Sequence, residues 1–191
     1  MRCDGMVAAC LAALALSCGC GRAADPPGLD DPRKMTLTLT SPAFTEGAAI
    51  PKVYSCDGKD VSPPLAWSGV PASARELALL CDDPDAPRGT WTHWILFNVP
   101  RDLTGLPEAV PAASRTKSGQ PQAPAPQGKN DFGKFGYGGP CPPSGTHRYV
   151  FRLFALDTHL PPEAGASRKA LLESIQGHVL AEGKLVGTYA R

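Results

Sequence analysis

Two short segments of this chain carry residues able to do chemistry beside turns too rigid to be ordinary connections. The first is Asp83-Pro84-Asp85-Ala86-Pro87, followed by Trp91-Thr92-His93-Trp94. The second is Gly138-Gly139-Pro140-Cys141-Pro142-Pro143, followed by Gly145-Thr146-His147-Arg148-Tyr149. Each proline fixes φ and removes an N–H, so these turns cannot continue a β-ladder or fill a helix interior. An imidazole beside a carboxylate tends to keep its proton, because the opposite charge favours the ionised ring. Asp83 and Asp85 would also orient His93 and His147 by accepting the far ring N–H. Two such rings, the Tyr149 hydroxyl and glycine N–H groups form a set able to hold a phosphate or carboxylate. The two acids repel a bare anion, which favours a zwitterionic head group whose amine meets a carboxylate. The same Asp/His set supports a second chemistry, that of a metal-dependent or acid/base hydrolase. Against it, no metal-binding spacing and no Gly-x-Ser-x-Gly nucleophile motif is present. The expectation is a binding site with no cofactor, metal or catalytic residue. A third, plainer reading makes Asp-Pro-Asp a simple turn and both histidines satisfied core residues.

Positioning these side chains takes strands. Residues 77–81 and 94–99 are apolar runs of strand length, the second rich in β-branched and aromatic side chains. The expected geometry is strand, rigid acidic turn, strand, with His93 returning toward the carboxylates. In residues 150–156, Val150, Arg152 and Phe154 alternate with Phe151, Leu153 and Ala155, the strongest strand pattern in the chain. Arg148 lies between His147 and Tyr149, so its side chain points away from their face. Residues 35–40 alternate Thr and Leu as a half-buried first strand. Residues 179–189 return to period two as a closing strand, with Gly183 or Gly187 placed for a bulge or a close contact. One helix is expected, with Ser167 as N-cap, a stripe of Leu171, Leu172 and Ile175, and Gly177 as its stop. Residues 112–128, rich in Ala, Pro and Gln, read as a surface loop that buries almost nothing. In residues 130–139 the glycines permit close backbone approach, and Phe132, Phe135 and Tyr137 are placed to line a groove. The whole reads as a mostly β domain with one or two helices at its margin near the C-terminus.

Composition narrows the classes of partner. The 191 residues allow one domain with a substantial core, and the net charge of +1 provides no basic stripe for nucleic acid. Residues 1–20 begin with Arg2, run apolar from Met6 to Leu16 and end on Ser17-Cys18-Gly19-Cys20, the pattern of a secretory signal. Ala15-Leu16-Ser17-Cys18 resembles a bacterial lipobox, although Ala15 stands where leucine is usual. Cys18 would then carry the lipid, with Cys20 the weaker candidate. The expected product is an exported lipoprotein, membrane-anchored and facing the periplasm or the outside; the alternative is a soluble periplasmic or secreted protein. Residues 21–34, rich in Pro and Asp, form a tether, and 35–191 form the domain. Three of the 7 cysteines lie beyond the leader: Cys56, Cys81 and Cys141. Cys81 sits in an apolar strand as a small hydrophobe. Cys56 and Cys141 lie in loops and can pair in an oxidising compartment, but sequence leaves their separation open.

Together, DPDAP followed by WTHW, then GGPCPPSGTHRY, resemble the phosphatidylethanolamine-binding proteins, also called the Raf kinase inhibitor protein family, and their bacterial branch above all. YSCDG and VSPPLAW in residues 54–67, and EGKLVGTYAR in residues 182–191, are similar to the same branch. The resemblance runs from about residue 35 to residue 191. It implies an antiparallel β-sandwich-like fold, a large sheet packed with a smaller one through Greek-key connections. It implies a small anion pocket lined by Asp83, Asp85, His93, His147 and Tyr149, with Gly138, Gly139 and Pro142 or Pro143 as wall. The ligand implied is a phospholipid head group or another phosphorylated group. The partner implied is a kinase or protease held in check.

Overall fold

The computed structural model describes residues 35–112 and 124–191. The expected signal at 1–20, Cys18 within it and the tether at 21–34 lie outside the described residues.

The apolar runs become strands, and the strands need cover on both faces. β1 (Met35–Thr36), β4 (Glu76–Asp83), β5 (Trp91–Pro100), β7 (Thr146–Leu156) and β8 (Val179–Ala190) make a five-stranded sheet in the order β1-β8-β7-β4-β5. Every pairing in it is antiparallel except β1 with β8. β2 (Thr38–Thr40), β3 (Leu65–Ser68) and β6 (Gly105–Leu106) make a small antiparallel sheet. Successive side chains of a strand point to opposite faces, so the large sheet feeds two cores. Cys81, Trp94, Tyr149, Phe151 and Leu153 share one core with Leu39, Leu65 and Trp67 of the small sheet. Leu80, Ile95, Phe97 and Phe154 share the other with Leu171, Leu172 and Ile175. Gly183 and Gly187 are where the chain comes closest to β8. A Cβ on Gly183 would meet Leu37, and one on Gly187 would meet Ile50 and Phe44.

The helix α1 (Arg168–Ile175) begins where expected: the Ser167 hydroxyl accepts the Ala170 N–H at 3.1 Å, and Gly177 takes the positive φ that ends it. Two short 3-10 turns, Lys52–Tyr54 and Pro162–Ala166, accompany it.

Two expectations change. Residues 35–40 are not one strand: β1 pairs with β8 and β2 with β3, the chain crossing between sheets at Leu37, whose N–H bonds the Glu182 carbonyl. The end of the stretch 112–128 is not idle surface. Gln127 is buried, accepts the Trp94 indole N–H at 2.7 Å and donates to the Pro111 carbonyl at 2.5 Å. A buried indole needs an acceptor, and Gln127 supplies it. Phe97 N–H reaches Pro126, and Gly128 N–H reaches Ile95. β5 is an edge strand, and this segment covers the groups that an uncovered edge would leave open.

Candidate functional site

β4 and β5 set the site through one surplus residue. Cys81 pairs with Trp94 and Asp82 with Thr92, so one step along β4 spans two along β5. His93 is the residue in excess, the centre of a β-bulge. The bulge turns its ring toward Tyr149, edge-on at 5.1 Å between centroids. The His93 carbonyl accepts the Gly138 N–H at 3.0 Å, and His93 Nδ1–H donates back to the Gly138 carbonyl at 2.6 Å. A carbonyl can only accept, so Nδ1 carries the hydrogen and Nε2 presents a lone pair. Burial pushes the His93 pKa down, opposed by the Gly138 carbonyl and by Asp83.

β7 supplies the other half. His147 and Tyr149 lie two residues apart on the face turned to the first core. His147 Nδ1–H donates to Asp83 Oδ2 at 2.7 Å, and both residues are buried. Asp83 Oδ1 accepts the Asp85 N–H at 2.8 Å, an Asx turn that fixes the carboxylate. Both imidazoles make their side-chain hydrogen bonds through Nδ1, and the Gly139 backbone beside the His93 ring also works against the effect of burial. The Tyr149 hydroxyl is buried and has no hydrogen-bond partner; the Cys141 N–H faces it without meeting hydrogen-bond geometry. Burial, with Asp83 nearby, raises the Tyr149 pKa, so the hydroxyl keeps its proton.

The wall comes from the second loop. Gly139 N–H donates to Asp60 Oδ1 at 2.6 Å, Cys56 N–H to the Pro140 carbonyl at 3.1 Å, and Tyr137 Oη to the Tyr54 carbonyl at 3.0 Å. Cys56 and Cys141 are disulfide-bonded, with Cα atoms 5.5 Å apart. Pro142 is buried and Pro143 exposed, so of the two it is Pro142 that belongs to the wall. Phe132 closes the rim, edge-on to His93 at 5.2 Å and to Trp91 at 5.5 Å.

Asp83, His93, His147 and Tyr149 thus converge, and four sequence expectations are corrected. Asp85 does not join the cluster with its carboxylate. It faces Arg148, which donates from Nε at 2.8 Å, from Nη2 at 2.6 Å and from its backbone N–H at 3.0 Å. Those bonds bring the Asp85 pKa down to about 2. β4 ends at Asp83, so alternation no longer governs Asp85. His93 is not held charged by an acid; its Nδ1 partner is a carbonyl and burial favours the neutral ring. The Gly138 and Gly139 N–H groups are spent on His93 and Asp60 and are not free for a ligand. Tyr137, expected in a groove, packs on Trp94 at 5.5 Å within the first core. Asp60 was not singled out by the sequence, although its loop, Asp57-Gly58-Lys59-Asp60, carries the turn signal that places it.

On the opposite face of β7 lies a cavity of about 850 Å³, lined by Asp82, Asp85, Arg148, Arg152, Arg168 and Lys184 among others. Asp82 is buried there, held by Arg168 Nε at 2.8 Å and the Thr92 hydroxyl at 2.9 Å, and burial raises its pKa. No group of three or more His, Cys, Asp or Glu side chains able to hold a metal ion occurs among the described residues.

The two-sheet β scaffold thus gathers two buried imidazoles, an acid and an unsatisfied hydroxyl near the end of β4 and the start of β7. The model of the phosphatidylethanolamine-binding protein family matches residues 40–190, and the chain belongs to that family. A UPF0098 protein of Methanothermobacter thermautotrophicus is 56% identical over 155 residues, 81% of this chain and 99% of the relative. A homologue of the family from Chlamydia trachomatis, of known structure, is 42% identical with a TM-score of 0.73, covering 82% of this chain and 98% of that one. Escherichia coli YbcL, described as a member of the mammalian family, is 32% identical with a TM-score of 0.72, covering 81% and 98%.

Proposed function

We propose that this protein binds a phosphate-type group, that of a phospholipid head group or another phosphorylated ligand, between His93, His147 and Tyr149. The observation that carries the reading is the Tyr149 hydroxyl. It is buried without a partner, beside two imidazoles that make their side-chain hydrogen bonds through Nδ1. An unmade hydrogen bond at a buried group costs about 1–3 kcal/mol, and a ligand oxygen would relieve it. A neutral His93 accepts rather than donates at Nε2, which suits a protonated phosphate oxygen or the ammonium of phosphoethanolamine. Restraint of a kinase or protease would work through the same cleft, by capture of an anionic or phosphorylated segment of that partner.

Titration calorimetry with inorganic phosphate and phosphoethanolamine tests this. Tyr149→Phe and His147→Ala are each expected to weaken binding at least about tenfold, the loss of one hydrogen bond to a charged ligand. Tyr149→Phe should leave stability unchanged or raise it by up to about 1 kcal/mol in thermal unfolding, because it removes an unpaired group. Binding that is absent in the wild type, or unaltered in both variants, defeats the reading. On sequence alone, Cys18 is proposed as the lipid-bearing residue of an exported protein. Cells fed labelled palmitate should label the wild type and not Cys18→Ala.

A further inference from the structure

We propose that the loop tip 131–135 is a membrane-docking element that seats the protein on a negatively charged bilayer, independently of the ligand held by the histidine cleft. Among the described residues, the large hydrophobic side chains left exposed are two, Phe132 at 41% and Phe135 at 45%. Both stand on one tight turn, in an exposed run Asp131-Phe132-Gly133-Lys134-Phe135.

The turn is built to hold that display. Asn130 N–H bonds the Lys134 carbonyl at 2.9 Å, the Asn130 side chain accepts the Lys134 N–H at 3.0 Å, and Gly133 takes φ +76°. Lys129 and Phe135 face each other as a β-bridge pair. Below, Asp131 anchors the turn to β5: its carboxylate accepts the Thr92 N–H at 2.7 Å, and its own N–H reaches the Thr92 carbonyl at 3.0 Å. One Asp131 carboxylate oxygen is tied to the strand while the residue stays exposed, and two exposed lysines, Lys129 and Lys134, against that one aspartate leave the turn with a net charge of +1. Two exposed rings interleaved with two lysines, Phe132 on the His93 side and Phe135 on the Phe97 and Leu160 side of the turn, match the bilayer boundary, where rings enter the acyl border and ammonium groups meet lipid phosphates. Lipid is taken as the occupant because the Lys129 and Lys134 ammonium groups complement the phosphates of an anionic bilayer. Phe132 also touches His93, so a docked tip would bring the cleft's rim to the height of the head groups.

Trp91 reports on this contact. It lies against Phe132 and is half-buried, whereas Trp67 and Trp94 are in the core. The full chain is mixed with phosphatidylglycerol–phosphatidylcholine vesicles carrying brominated acyl chains, and tryptophan quenching is followed. Quenching is expected, weaker with pure phosphatidylcholine and weaker in high salt. Phe132→Ser/Phe135→Ser should lower the apparent partition coefficient at least about tenfold, given the apolar area of two rings. Phe135→Ser alone, which spares the ring on His93, should lower it by a part of that. His147→Ala should quench like the wild type, which separates this surface from the cleft. An unquenched wild type, as when the tip docks on a protein instead, overturns the proposal. So does equal quenching in the double variant.

Discussion

At the scale of single residues, charge is sorted by face. Asp83 and Asp85 stand one proline apart yet serve opposite sides of β7, the first bonded to His147 and the second to Arg148. The sequence showed both acids but not their parting, because the strand ends at Asp83 and alternation ends with it. Asp85 is therefore an electrostatic residue of the outer face, and its contribution follows pH. An unfolded aspartate titrates near about 3.9, the folded Asp85 at about 2. Between these values the unfolded chain binds more protons, so acid favours unfolding. The stability difference between wild type and Asp85→Asn should be constant above about pH 5 and shrink as pH falls from about 4 toward about 2. Urea unfolding over that range measures it. The pair is well exposed, so the difference will be small. His93 carries the same sign at higher pH. Its lowered pKa supports the fold above about 6.5 and withdraws that support as pH drops below it.

At the scale of elements, pattern carried most of the architecture. Period-two alternation marked β7 and β8, and an N-cap serine with an apolar stripe marked α1. Ser167→Ala removes the acceptor of the Ala170 N–H and should cost about 1 kcal/mol in chemical denaturation. What stayed hidden had no local signature. β5 is almost wholly buried, so its hydrophobic run does not show which residue is in excess. The covering role of residues 125–128 depends on the indole of Trp94 and the exposed edge of β5, both distant in sequence. Composition alone marks that stretch as loop. The crossing at Leu37 is hidden likewise, because Thr and Leu alternate evenly through it.

For the whole molecule, the cluster of His93, His147 and Tyr149 is an end structure clamped from outside its own strands. The disulfide Cys56–Cys141 joins segments 85 residues apart, and beside it lie the Asp60–Gly139 and Tyr54–Tyr137 bonds. Tyr189 Oη and Arg191 both reach Asp57 in the same loop, at 2.9 Å and 3.3 Å. Cross-linking so long a loop restricts the unfolded chain, worth about 2–4 kcal/mol in a typical protein. Cys56→Ser/Cys141→Ser should lose stability of that order by calorimetry and should bind phosphate more weakly, because Cys141 carries the wall beside Tyr149. Unchanged affinity would show that the remaining bonds hold the wall without it. Cys81 is buried and free, its thiol pKa pushed well up by burial, and should resist alkylation in the folded state.

The bulge at His93 makes the imidazole separable from the sheet that carries it. With that one residue excised, Thr92 and Trp94 would become neighbours and still meet Asp82 and Cys81, each on its present face. A single codon thus divides a ladder regular at this end, its other irregularity lying between Leu77 and Leu79, from one that displays a ring toward Tyr149. The excised chain would keep the Asp82–Arg168 bond of the outer face and lose, with the ring, the two bonds that tie Gly138 to β5.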